Sequence, residues 1–174
     1  MSFFIRQIEN LTDAQEQALF HWNDDVFDSK QHHLVFMDSA EWSFAGFEDE
    51  RIVSHVGLVK QKIVVGDREI WVGGVCGVST VPEAQGRGYA SRILQRVVEF
   101  MSKDLQVDFG TLFCNHELIP FYRGASWQKF DGEVTVEQPD GNRLTPPTIN
   151  FMFLPLRENT QWPDGEVDLK SLPW

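Results

Sequence analysis

Val78-Ser79-Thr80-Val81-Pro82-Glu83-Ala84-Gln85-Gly86-Arg87-Gly88-Tyr89-Ala90 is the stretch on which the fold turns. It reads as the end of a strand, a short glycine- and arginine-containing turn, and the opening of a helix. Pro82 stops the strand because it has no N–H to give to a ladder. A helix start leaves its first backbone N–H groups unpaired and carries partial positive charge, which suits a phosphate. Gly86 and Gly88 remove side chains where a phosphate would approach the backbone, and Arg87 adds a fixed positive charge beside it. The turn is a candidate pyrophosphate cradle.

Upstream, Trp42, Phe44 and Gly46 alternate along a half-buried strand from Glu41 to Glu48. Asp49-Glu50 makes a tight turn, Arg51 to Val65 is a long β-branched run, and Gly66-Asp67 separates it from the next strand. Residues 41–81 therefore read as an antiparallel meander. Downstream, Tyr89, Ile93, Val97 and Met101 recur at every fourth position with Ala90, Leu94 and Val98 beside them. Arg92, Gln95, Arg96 and Glu99 take the opposite face, so this segment is an amphipathic helix. Asp108 to Cys114 is a buried strand, and strand, helix and strand in succession imply a crossover and a parallel pair.

Farther out, Phe3 to Ile8 is a short strand, and Thr12 with Gln15 has the form of a capping box. Leu19, Trp22 and Val26 share a helical face, which predicts a helix over about Asp13–Phe27. Asp28 to Asp38 is an irregular or helical connector of the kind that walls a substrate site; its His32 and His33 read as surface loop residues, not metal ligands, since no Cys or carboxylate stands at a diagnostic spacing. His116 to Gly124 is a short helix with Leu118, Phe121 and Tyr122 on its apolar side, stopped by Gly124. Ser126 to Val136 and Ile149 to Leu156 read as strands, with a turn-rich excursion between them. The tail from Arg157 to Trp174 is polar and aperiodic until its apolar Leu-Pro-Trp end.

A chain of 174 residues with 42% hydrophobic and 24% charged residues is most simply one globular domain, residues 1–174. Its formal net charge of −11 argues against nucleic acid and favours a cationic partner. No apolar run is long enough to span a membrane, and the start lacks the pattern of a signal peptide, which points to the cytoplasm. Cys76 and Cys114 read as reduced, buried thiols. A homodimer is compatible with the chain, whose oligomeric state the sequence does not give.

The order β–α–β–β–β–α–β–α–β–β, with the glycine/arginine turn opening the main helix, resembles the GNAT N-acetyltransferase superfamily. Gln85-Gly86-Arg87-Gly88-Tyr89-Ala90 matches its Gln/Arg-x-x-Gly-x-Gly/Ala motif, and Val78 to Glu83 is similar to its strand-ending Val-x-Val-x-Pro-Glu pattern. Phe121-Tyr122-Arg123-Gly124-Ala125-Ser126-Trp127 resembles its Phe-Tyr-x-x-x-Gly-Phe segment. A looser resemblance covers the chain from about Phe44 onward and points to the aminoglycoside 2′-N-acetyltransferase branch. It is carried by Arg51 to Gly57, Gly77-Val78-Ser79, Phe153-Leu154-Pro155-Leu156 and the closing Trp174. Where that branch has a glutamate before the glycine of the central strand, this chain has Cys76. A Rossmann-type nucleotide binder is a poorer reading, because the motif follows a meander and no second βαβ unit appears.

The resemblance implies an α/β (α+β) fold: a central, mixed but mostly antiparallel sheet, flanked by helices, with one parallel pair at the site of coenzyme A. It implies acetyl-CoA as cosubstrate and no metal. Val78, Ser79 and Thr80 would offer backbone groups to the pantetheine arm, and Gln85, Gly86, Arg87, Gly88, Tyr89, Ala90 and Ser91 would bind the pyrophosphate. Tyr122 would return a proton to the departing thiolate. The acceptor would be the primary amine of a small cationic molecule, an aminoglycoside-like sugar in the finer version. It would be bound near Asp38, Cys76, Gly77, Phe113 and Trp174, with the tail over residues 157–174 packing beside it. Glu41 is a further acid for such a cation. The base that deprotonates the amine is open between His116, Glu83, the Trp174 carboxylate and water. Cys76 could in principle carry the acyl group, but direct transfer is the superfamily's norm. Two alternatives stand: acetylation of a protein or peptide amine, and a non-catalytic acyl-CoA-binding module.

Overall fold

The computed structural model describes residues 2–22, 39–146 and 149–174. The elements are β1 (Phe3–Ile8), α1 (Asp13–Phe20), β2 (Trp42–Glu48), β3 (Arg51–Val65), β4 (Arg68–Thr80), α2 (Tyr89–Lys103), β5 (Phe109–Cys114), α3 (Ile119–Gly124), β6 (Gln128–Lys129), β7 (Val134–Glu137), β8 (Arg143–Leu144), β9 (Asn150–Pro155) and β10 (Val167–Asp168). The sheet runs β6-β9-β5-β4-β3-β10-β7-β8, with β2 pairing the first half of β3 and β1 outside β2. The meander and the flanking pairs are antiparallel, and β4 and β5 are parallel. This is the mixed α/β fold that the order of elements implied.

Side chains alternate across the sheet, and the two faces have different cover. Ile93, Leu94, Val97 and Met101 of α2 pack on Val56, Leu58, Val75 and Leu112. Gly73 and Gly110 lie directly beneath Met101, where a Cβ would come within 2.3 Å and 3.0 Å of it. On the opposite face Val72, Phe109, Phe151 and Phe153 pack with Trp162 and Trp174 of the tail, while Leu19 of α1 joins Ala45, Ile52 and Val53. Each such side chain contributes about 1.5–3 kcal/mol of burial.

Thr12 closes α1 with the expected capping box. The helix ends at Phe20, short of the expected Phe27. The Trp22 indole instead donates back to the carbonyl of Leu19 at 2.8 Å, and the Ser79 hydroxyl of β4 donates to the same oxygen. The last carbonyls of a helix need such partners. The connector with His32 and His33, and Asp38 within it, lies outside the described residues. The expected strand over Ser126–Val136 is two strands, β6 and β7, interrupted at Asp131-Gly132. Residues of the turn-rich excursion form β8 against β7. The aperiodic tail holds β10, and its pairing with β7 is a second parallel contact beyond the one expected.

Candidate active site

The parallel ladder between β4 and β5 runs from Val72 opposite Phe109 to Val75 opposite Leu112 and stops there. Beyond it β5 stays with β9 as far as Cys114 opposite Asn150, while β4 stays with β3. Among the described residues, no strand pairs the β4 edge that faced β5 from Gly77 to Thr80. The ladder to β3 is itself irregular at this point: His55 faces Ser79 and Gly57 faces Cys76, so Val56 stands opposite both Gly77 and Val78. That is a β-bulge, and Gly77 sits in it with φ +52°, a conformation that favours glycine. His55 Nδ1 lies 2.7 Å from the Gly77 carbonyl oxygen.

Past the strand, a short 3-10 turn over Pro82–Ala84 leads to Gly86 and Gly88, both at φ +75°. Among the described residues, a Cβ at either would meet nothing within 4 Å, so the glycines serve the backbone conformation. Gly88 is the N-cap of α2; no side chain caps the helix and its first turn holds no acid. The first N–H groups thus meet no competing carboxylate from that turn.

Side chains hold this turn to the β2–β3 hairpin. The Arg87 guanidinium donates to both oxygens of Glu48 at 3.0 and 3.1 Å and to the Glu83 carbonyl at 3.0 Å. The Tyr89 hydroxyl donates to Glu48 at 2.7 Å, and its ring stacks on Phe3 with centroids 4.0 Å apart. Arg51 pairs with Glu83, and the Gln85 amide donates to the Thr80 carbonyl at 3.1 Å. Exposed pairs of this kind contribute about 0–1 kcal/mol each, so their effect is orientation more than stability. The Arg87 charge is thereby committed to a carboxylate, and the side chain of Tyr89 points to β1 and β2, leaving the backbone of this turn as its open donor. Arg87 is held above its ordinary pKa by Tyr89 and Glu48. Glu83 is held below the usual carboxylate value, first by its own backbone N–H and then by Arg51, which weakens it as a base. His116 is exposed at the start of the 3-10 turn before α3.

Cys76, Phe113 and Trp174 come together on the face away from α2. The Trp174 ring lies on Gly74, where a Cβ would be 2.4 Å from it, and 5.9 Å from the Phe113 ring. Trp174 is 2% exposed, and Phe113 and Cys76 are half-buried. A recess of about 180 Å³ continues past Phe113, walled by Phe130, Phe151, Thr145 and Asn150; its two charged lining residues, Lys129 and Asp131, pair at 2.6 Å. Tyr122, on α3, is 4% exposed and packs edge-on to Phe121 and Trp127 in the α2-side core that also holds Cys114. Burial, with a smaller contribution from Cys114, pushes its phenol pKa well up. The Cys114 thiol is itself pushed up to about 11 by burial.

A family model described as "Acetyltransferase (GNAT) domain" matches residues 7–130. The chain belongs to the GNAT acetyltransferase family. Solved structures agree on the fold. Escherichia coli ElaA is 14% identical, covering 87% of this chain and 99% of its own, with a TM-score of 0.58. A GNAT family acetyltransferase from Brucella melitensis, solved in complex with acetyl-CoA, is 12% identical over 94% of each chain, with a TM-score of 0.54. The ribosomal-protein-S18-alanine N-acetyltransferase of E. coli is 16% identical, covering 91% of this chain and 100% of its own, with a TM-score of 0.52. No curated protein matches. Among the described residues, no helix is long and apolar enough to cross a membrane.

Two residues that the sequence reading leaves without a role hold this candidate site in place. Glu48 anchors Arg87 and Tyr89 from 39 and 41 residues away, and His55 anchors the bulge from 22 residues away. The sequence signal for Glu48 was weak, a carboxylate at a hairpin end. His55 carried a stronger one, a single imidazole inside an apolar strand.

Proposed function

We propose that the protein is an acetyl-CoA-dependent N-acetyltransferase that transfers acetyl directly to a primary amine. The observation that carries this reading is a β4 edge that no described strand pairs from Gly77 to Thr80, leading into a helix start that no described side chain caps. An extended pantetheine arm can lie along Val78, Ser79 and Thr80 as an added strand. The N–H groups from Gln85 to Ser91 then meet the pyrophosphate, with the positive φ of Gly86 and Gly88 setting their direction. In this family the acyl donor supplies an activated thioester, and the protein supplies placement and proton handling.

Tyr122 is the proton donor in this reading. Its raised pKa keeps the phenol protonated throughout the physiological range, so the hydroxyl can donate to a departing thiolate and cannot serve as a base. The acceptor binds on the face of Cys76, Gly77, Phe113 and Trp174, with Asp38 as a further candidate for holding it. With Cys76 where a glutamate would serve as relay, the amine loses its proton to water or to a group on the acceptor side. The net charge of −11 favours a small cationic amine, and an aminoglycoside-like sugar is its most specific form. The aromatic recess beside Phe113 favours a second reading, an amine with a flat apolar body or a peptide side chain.

Calorimetric titration with acetyl-CoA tests the donor: one-site binding is expected, and no heat at millimolar ligand contradicts it. A panel of amines read by thiol release separates the acceptors. Tight binding of CoA with no turnover on any amine favours a binding module instead.

A further inference from the structure

His55 stands on β3 opposite the bulge, and the proposed reaction leaves it unused. A carbonyl oxygen can only accept a hydrogen bond, so the 2.7 Å contact to Gly77 makes Nδ1 the nitrogen that carries the proton. In a neutral ring Nε2 is then bare; it is buried and has no partner among the described residues. Burial lowers the pKa of this imidazole, against the opposing effects of the Gly77 carbonyl and the Glu16 carboxylate. Phe20 lies edge-on at 5.6 Å and adds no charge. Burial thus favours the neutral ring, and the Gly77 carbonyl selects its Nδ1–H tautomer.

The Gly77–Val78 peptide is trans, so its C=O and N–H point in opposite directions. Fixing the carbonyl on the His55 imidazole aims the Val78 N–H away from that ring, and β5, which pairs β4 only as far as Val75, does not take it up. Neither ladder pairs Gly77 or Val78. A glycine peptide in a bulge can otherwise rotate between several orientations. We infer that His55 is a positioning residue which, by donating from Nδ1 to Gly77, presents the Val78 N–H to the thioester carbonyl of the acyl donor. Such a donor, set before the reaction, stabilises negative charge developing on that oxygen. The inference rests on the acyl-CoA reading.

Its test compares acetyl-CoA with CoA, which lacks the carbonyl, in wild type, His55→Phe and His55→Asn, alongside nitrogen NMR of the wild-type histidine rings. An asparagine amide can place a donor where Nδ1 stands. The wild-type spectrum is expected to show His55 as the Nδ1–H tautomer at pH 7. His55→Phe is expected to lose about threefold to tenfold in acetyl-CoA affinity, the worth of one net hydrogen bond, with CoA affinity held. His55→Asn is expected to recover most of that loss. Should His55→Phe fail to fold, His55→Gln replaces it, since its amide reaches the Nε2 position and leaves the carbonyl unbonded. An Nε2–H tautomer, an equal loss for both ligands, or no loss for either overturns the inference while the acyl-CoA reading stands. A folded wild-type protein that binds neither ligand overturns the acyl-CoA reading and the donor role together.

Discussion

Within β4, Val72–Val75 and Cys76–Thr80 are made of similar small and apolar residues and differ in what borders them. The first segment has β3 on one edge and β5 on the other, α2 above Gly73 and Trp174 on Gly74. The second has, among the described residues, β3 as its one strand neighbour, and a bulge at Gly77. Backbone groups in the first are consumed by the ladders, whereas Gly77 and Val78 in the second are paired by neither ladder. One strand thus serves as scaffold and, under the proposed function, as site, because its neighbour leaves it halfway. Under the proposed function, Tyr122 and the Gly86–Gly88 turn act with the second segment, whereas Gly74 belongs with the first by packing.

The largest expected effect is on the site side. Tyr122→Phe should cut kcat on the order of tenfold to a thousandfold with acetyl-CoA affinity held, measured with the best amine of the panel. Since burial raises the pKa of the phenol, wild-type kcat should show no loss from Tyr122 ionisation up to an ordinary tyrosine's pKa of about 10. An unchanged kcat in the variant removes the tyrosine from the mechanism. On the scaffold side, Gly74→Ala places a methyl in the Trp174 ring and should cost about 1–3 kcal/mol. A thermal scan should show this as a Tm lower by several degrees, at about 2–4 °C per kcal/mol for this size. An unaltered Tm would mean that the indole is not held on the strand.

Gly86→Ala and Gly88→Ala should separate the two sides. Each adds about 1–2 kcal/mol of backbone strain at positive φ with no collision. Each should weaken CoA binding by about tenfold by calorimetry, near 1.4 kcal/mol. Equal loss of stability with unchanged CoA affinity would make the turn purely structural. The smallest effect concerns His55. Its folded pKa lies below its unfolded value of about 6.5, so the unfolded chain binds more protons as pH falls through that value. Stability contributed by the neutral ring is present above pH 6.5 and is lost progressively below it. The Tm of the wild type should fall more steeply between pH 7 and 5 than that of His55→Asn; parallel curves would refute a buried neutral imidazole.

The parts of this comparison that were legible in the sequence are the local ones. The capping box at Thr12, the period-four face of α2, the meander and the Gly86–Gly88 turn each depend on residues within a few positions of one another. The point where β5 leaves β4 depends instead on which partner each strand end finds, and no local pattern records that. Glu48 and His55 act across 39 and 22 residues, so their chemistry was visible but their targets were not. The break at Asp131-Gly132 was hidden by the aromatic residues on its N-terminal side. The tail shows no periodicity because its one strand, β10, is two residues long and its other support to the core comes from single large side chains, Trp162 and Trp174.

Hydrogen exchange along β4, with and without saturating acetyl-CoA, tests the division of the strand most directly. The account predicts slowed exchange at Val78 to Thr80 and at Gly86 to Ser91, with Val72 to Val75 unchanged. Protection confined to Val72–Val75, or no change at either segment in millimolar acetyl-CoA, would contradict it.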